Sequence, residues 1–157
     1  MITENTSMPS GQLQQLANGN MITHNTVELF ANKKVILFAV PGAFTPTCSA
    51  AHLPGYVVAA DELRAKGVDE IMCLSVNDAF VMSAWGEAQN AENIMMLADG
   101  DGSYTQALGL EMETGAFGGV RSQRYSMIID NGVVTHLNVE QPKEFEVSAA
   151  QVILDSL

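Results

Sequence analysis

The sequence predicts a single α/β domain with a mixed central sheet, helices on both faces and an N-terminal β-hairpin. Three observations lead there. Val35 to Val40 is a continuous apolar run with β-branched content, and Asp69 to Val76 carries a second one, as strands buried on both faces do. Between them, Ser49 to Lys66 has helical composition, which makes a βαβ unit with parallel strands. Late in the chain, Tyr125 to Val139 is divided by Asn131-Gly132, the strongest short hairpin signal present, so antiparallel strands join the parallel ones.

The other elements follow in order. Residues 10 to 23 alternate loosely around the turn signal Ala17 to Asn20 and read as the N-terminal hairpin. Thr26 to Phe30 is a short helical turn. Within Ser49 to Lys66, Pro54-Gly55 should kink the helix or divide it one turn in, because proline removes a helical hydrogen bond. Asp78 to Gln89 is a helix capped by Asn77 or Asp78. Ile94 to Leu97 is a short strand and Ser103 to Leu108 begins another helix. Glu111 to Gly119 is glycine-rich and irregular, and Val147 to Leu157 closes the chain as a helix.

Composition narrows the function. A chain of 157 residues is one domain, residues 1–157, long enough for a real core. With 47% apolar and 16% charged residues it reads as globular. Seven basic against eighteen acidic residues give a net charge of −11, and no basic cluster is visible. That balance argues against nucleic acid and anionic membrane as partners. The run Val35 to Phe44 is broken by Pro41-Gly42 and too short to span a bilayer. Met1 to Ser10 shows no basic region followed by an apolar stretch, so no secretory signal is expected. Two cysteines make no disulfide framework, and a reducing cytoplasm is the expected home.

Cys48 carries the chemistry. It follows the strand Val35 to Val40 and a loop rich in proline and threonine, and an Ala-rich helical stretch begins there. At such a junction the first-turn N–H groups lack partners, and the helix dipole favours negative charge. Both stabilise a thiolate, the nucleophilic form of the sulfur. The alternative, a buried structural cysteine, fits the loop and the helix start poorly. Thr45 lies three residues earlier, where a helical turn brings its hydroxyl toward the sulfur or makes it an N-cap.

The string Pro41-x-x-x-Thr45-x-x-Cys48 resembles the signature of peroxiredoxins, which are thiol peroxidases. The longer segment Val40 to Gly55 is similar to the type-5 branch, which includes plant type II proteins. Cys73 to Asp78 and Arg124 to Met127 agree with it, so the likeness runs from about Lys33 to the C-terminus. The order of elements suits a thioredoxin-like fold, which the resemblance also implies. It further implies peroxide reduction through a Cys48 sulfenic acid, with Thr45 contacting thiolate and peroxide and Pro41 shielding the sulfur. Arg124 would be the guanidinium beside the sulfur, with Arg121 a rival. His52 would line or support the pocket together with Phe44 and Thr47. The resemblance implies no cofactor beyond a reducing thiol, and a homodimer paired through loops flanking the active site.

Other chemistries fit less well. A Cys48/His52 metal pair lacks a clear third ligand. A phosphatase-type loop needs arginine where Pro54 stands, and no Cys-x-x-Cys is present for a disulfide oxidoreductase. Cys73 sits in an apolar strand and reads either as an inert core thiol or as a resolving cysteine. Some relatives resolve through a cysteine near the C-terminus, where this chain has Glu146 to Ser148. That departure favours glutathione or glutaredoxin as the reductant. Two alternatives stay open: Cys73 resolving with thioredoxin as donor, and a peroxide-sensing redox module.

Overall fold

A computed structural model describes residues 1–157. In chain order the elements are β1 (Gln12–Ala17), β2 (Asn20–Asn25), α1 (Thr26–Phe30), β3 (Lys34–Ala39), a π-helical turn (Cys48–His52), α2 (Leu53–Ala65), β4 (Glu70–Ser75), α3 (Ala79–Ala88) and β5 (Met95–Ala98). There follow α4 (Ser103–Leu108), β6 (Glu111–Glu113), a 3-10 turn (Gly115–Phe117), β7 (Val120–Ser122), β8 (Tyr125–Asp130), β9 (Val133–Val139) and α5 (Ala150–Ser156). The main sheet has seven strands in the order β2-β1-β5-β4-β3-β8-β9. Its centre, β3-β4-β5, is parallel, and β8, β9, β1 and β2 are added antiparallel. This is the mixed α/β, thioredoxin-like architecture with an N-terminal hairpin that the sequence predicts.

The continuous apolar run of β3 is explained by two cores. Ile36 and Phe38 join Tyr56, Leu63, Ile71, Cys73, Trp85 and Ile153 on the face covered by α2, α3 and α5. Val35, Leu37 and Ala39 alternate to the other face, against Leu29, Phe30, Tyr104 and Leu108 from α1 and α4. Each large side chain so enclosed stabilises the fold by roughly 1.5–3 kcal/mol. The hairpin Tyr125 to Val139 turns at Asn131 (φ 48°) and Gly132 (φ 80°), the pair of positive φ values a tight hairpin needs.

Three expectations need correction. The segment Glu111 to Gly119 is not irregular throughout: β6 pairs with β7 as a separate two-stranded ladder across the 3-10 turn. Strands this short, carrying charge and glycine, leave no periodic signal. The last helix begins at Ala150 rather than Val147, because the N–H groups of Glu146 and Ser148 are bound by the Glu140 carboxylate. The helix holding Cys48 already starts at Pro46 and widens into the π turn before α2. There the Leu53 N–H reaches back to the Cys48 carbonyl. Pro54 has no N–H to give, so the division expected at Pro54-Gly55 takes the form of this wide turn.

Candidate active site

The site is built where β3 runs out at the sheet's carboxyl edge. Asn77 Oδ1 accepts from Ala43 N at 3.0 Å and pins the loop that leaves the strand. Capping of α3 falls to Asp78, whose Oδ1 accepts from Val81 N at 2.9 Å. Phe44 adopts φ 63° and is 56% exposed, and it is not among the residues that wall the cavity over the site. The expectation that Phe44 lines the pocket is therefore corrected: the side chain is left largely to solvent at the rim.

Chain direction then reverses into the helix, with Ser49 N bonded to Thr45 O at 3.0 Å. The Thr45 hydroxyl is not spent on capping. Its oxygen lies 2.6 Å from Gly42 O and 3.0 Å from Cys48 Sγ. One hydroxyl proton cannot serve both at once. With Cys48 as a thiol, the S–H donates to Thr45 and Thr45 donates to Gly42. With a thiolate, the hydroxyl is free to turn to the sulfur.

Arg124 arrives from the link between β7 and β8 and completes the constellation. Its Nη2 donates to Cys48 Sγ at 3.1 Å and its Nη1 to His52 Nδ1 at 2.8 Å. The π turn matters here, because it presents Cys48 and His52 together to one guanidinium. Arg121, the rival, is committed elsewhere: its Nη1 donates to Val76 O at 2.8 Å and its Nε to Gly118 O at 3.1 Å. It ties the β6-β7 arm to the end of β4.

His52 is fully buried among Phe38, Tyr56 and Phe145, at ring distances of 5.0, 5.7 and 4.9 Å. Burial, and then the charge of Arg124, push its pKa down to about 3. The ring is therefore neutral and supports the pocket from below. Its Nε2 lies 3.2 Å from Ser148 O, which also accepts from Tyr56 OH at 2.8 Å. A carbonyl can only accept, so Nε2 carries the proton and Nδ1 offers a lone pair to Arg124.

Sequence reasoning missed the residues behind this arrangement: Glu140, Phe145 and Ser148. Glu140 Oε2 accepts from Glu146 N at 2.7 Å, Ser148 N at 2.8 Å and Ser148 Oγ at 2.7 Å. Burial tends to raise its pKa, but the bonds from Ser148 and Glu146 outweigh it and hold the carboxyl below its usual range. The Arg124 guanidinium lies 5.8 Å from the Phe145 ring centre. Nothing local marks these positions, since their partners lie far away in sequence.

A cavity of about 700 Å³ opens over the site, with Pro41, Thr47 and Arg124 in its wall beside Met112, Phe117 and Glu140. Cys48 sits beneath it, fully buried. Cys73 is also fully buried, on β4 opposite Phe38 and in the same apolar cluster as Cys48. Burial, and then the nearby Cys48 charge, push its thiol well up, against a smaller lowering by Arg124. Cys73 is thus a protonated thiol at neutral pH. Both cysteines are free.

Such a sulfur, held by a hydroxyl and a guanidinium at a strand-to-helix turn beneath a cavity, defines a thiol-based redox protein. Comparison with known proteins narrows the class. The Redoxin family model matches residues 3–154. Peroxiredoxin-2D of Arabidopsis thaliana is 48% identical over 159 residues, covering 99% of this chain and 98% of its own. The reduced Prx3 of Vibrio vulnificus in complex with hydrogen peroxide superposes with a TM-score of 0.98 at 68% identity, covering 99% of each chain. The 1-Cys peroxiredoxin of Plasmodium falciparum does so at 0.90 and 26% identity, over 99% of this chain and 98% of its own. The chain belongs to the Redoxin family and, within it, to the peroxiredoxins, which are thiol peroxidases.

Proposed function

We propose that this peroxiredoxin reduces hydrogen peroxide and alkyl hydroperoxides, and that glutathione with glutaredoxin returns its sulfur to the thiol state. The first half-reaction uses the geometry above. The Cys48 thiolate attacks one peroxide oxygen and a sulfur–oxygen bond forms as the O–O bond breaks. The departing oxygen takes a proton and leaves as water or an alcohol, with Cys48 as sulfenic acid. Thr45 can donate to the incoming oxygen once the sulfur no longer needs its proton. Arg124 offers several donors to the negative charge spread over sulfur and oxygens. Prx3 of Vibrio vulnificus, which binds hydrogen peroxide, supports that substrate by similarity. The apolar wall of Met112 and Phe117 supports larger alkyl hydroperoxides as well.

In the second half-reaction a glutathione thiol displaces hydroxide from sulfur, which leaves as water and gives a mixed disulfide. A second thiol, on glutathione or glutaredoxin, takes over the glutathionyl group and releases the Cys48 thiolate. One observation carries this choice of reductant: Cys73, the sole internal candidate, is fully enclosed and held protonated. Its membership of the same apolar cluster as Cys48 supports the second reading, an internal disulfide reduced by thioredoxin. Peroxide consumption with glutathione plus glutaredoxin against thioredoxin, on wild type and Cys73→Ser, separates them. Turnover with glutaredoxin that survives in Cys73→Ser is expected. Loss of that turnover, with near-stoichiometric Cys48–Cys73 disulfide by mass spectrometry, contradicts the proposal. A peroxide sensor would stop near one equivalent of peroxide.

We further propose a cytoplasmic homodimer. Two free cysteines and a thiol that must be re-reduced favour a reducing compartment. Phe44, Phe80 and Phe117 are 56%, 64% and 70% exposed, and large exposed apolar side chains support a self-association surface.

A further inference from the structure

We propose that Glu140 is a positioning residue for the peroxidase reaction, acting on Cys48 through the loop it closes, His52 and Arg124. Glu140 stands just after β9, and its N–H is bonded to Arg124 O at 2.9 Å, so the loop starts on the backbone of the arginine itself. Its carboxylate then turns back and gathers the far end of the loop. Glu146 N, Ser148 N and Ser148 Oγ all donate to the one oxygen, Oε2, at 2.7–2.8 Å. Glu140 is only 6% exposed, and its buried carboxylate is matched by three donors from the loop it closes.

The closed loop presents two groups to the site. The Ser148 carbonyl receives His52 Nε2–H and Tyr56 O–H, and the Phe145 ring lies against both His52 and Arg124. The carbonyl anchors His52 at Nε2, in the one tautomer that Arg124, always a donor, also requires at Nδ1. While it accepts at Nε2, Nδ1 holds a lone pair and receives Arg124 Nη1 at 2.8 Å, which aims Nη2 at Cys48 Sγ. Without the carbonyl the ring loses its anchor at Nε2 and is free to turn. Nη1 then loses its acceptor, and Nη2 is no longer aimed at the sulfur.

The sign of one observable separates this role from simpler ones. An anion near a thiolate disfavours it, so removing Glu140 as a mere neighbouring charge would lower the pH at which the Cys48 thiolate forms. A purely structural carboxylate would lower the melting temperature and leave that pH alone. Loss of positioning raises it, because Arg124 retreats.

The experiment uses the intact chain. In wild type, long-range nitrogen–proton NMR correlations should show His52 neutral with its proton on Nε2. Thiolate absorbance against pH and single-turnover peroxide rates are then read for Glu140→Ala and Glu140→Gln. In Glu140→Ala the thiolate should form about one pH unit higher and peroxide should react about tenfold more slowly, the low end for losing a nearby opposite charge. Glu140→Gln, which keeps an acceptor oxygen, should recover most of both. Combined with Arg124→Met, Glu140→Ala should add little, since its effect runs through the arginine. Should Glu140→Ala fail to fold, Glu140→Asp withdraws the acceptor by one methylene and carries the same expectation. A wild-type His52 protonated on Nδ1, an unchanged or lowered thiolate pH in the folded variants, or undiminished slowing in the Arg124→Met background would overturn the proposal.

Discussion

Acidification places a proton on His52 only against the whole of its surroundings. The ring is enclosed by Phe38, Tyr56 and Phe145 and faces the Arg124 guanidinium, which together push its pKa from 6.5 down to about 3. In the unfolded chain it returns to about 6.5. Between these values the unfolded state binds one proton more than the folded state, so stability rises with pH across the window. It is fully present above about pH 6.5 and is lost as pH falls toward about 3. Each pH unit is worth about 1.4 kcal/mol, so going from pH 6.5 to about 4.5 costs roughly 2–3 kcal/mol from this group alone. Urea unfolding at both pH values, on wild type and His52→Phe, measures it. The phenylalanine ring occupies much the same space and cannot titrate. The many carboxylates titrate in both proteins and cancel in the comparison. His52→Phe should start less stable, having lost the bonds to Ser148 and Arg124, but lose roughly 2–3 kcal/mol less on acidification. Equal losses in the two proteins would show that His52 is not held neutral, and the reasoning would fail.

Other expectations concern the sulfur's partners and the assembly. Arg124→Met should slow reaction with peroxide by about tenfold or more by removing the cation on Sγ, whereas Arg121→Met, which loses only carbonyl contacts, should stay close to wild type. The reverse order in stopped-flow oxidation would refute the arginine assignment. Thr45→Val keeps the shape but removes the hydroxyl 3.0 Å from the sulfur, and should cost about tenfold or more in oxidation rate with the melting temperature little changed. Light scattering at micromolar concentration should give twice the chain mass, and monomer mass throughout would count against the proposed dimer.

The central fold was legible because β3 and β4 are apolar along their whole length, a pattern set by burial on two faces. The nucleophile was legible because strand, proline loop and helix start lie next to each other in sequence around Cys48. Arg124 could be chosen over Arg121 through the resemblance and its spacing to the Met127 to Asp130 strand, since composition does not distinguish them. Phe44 was misread because a positive φ at a non-glycine residue is set by the folded loop. The bonds that fix His52 could not be read at all. Ser148 meets His52 and Tyr56 across 96 and 92 residues, and such contacts leave no periodicity. The pull of Glu140 on its loop also explains why helical composition at Val147 did not become helix.

The central claim is that Cys48 is the peroxidatic sulfur and Cys73 is not, and substitution of each cysteine tests it most directly. Peroxide consumption is followed for Cys48→Ser and Cys73→Ser with the reducing system that sustains wild-type turnover. The account predicts that Cys48→Ser loses turnover while remaining folded by circular dichroism, and that Cys73→Ser still forms a Cys48 sulfenic acid on the first equivalent of peroxide. Substantial turnover in folded Cys48→Ser, or a Cys73→Ser protein whose Cys48 no longer reacts with peroxide, would contradict it.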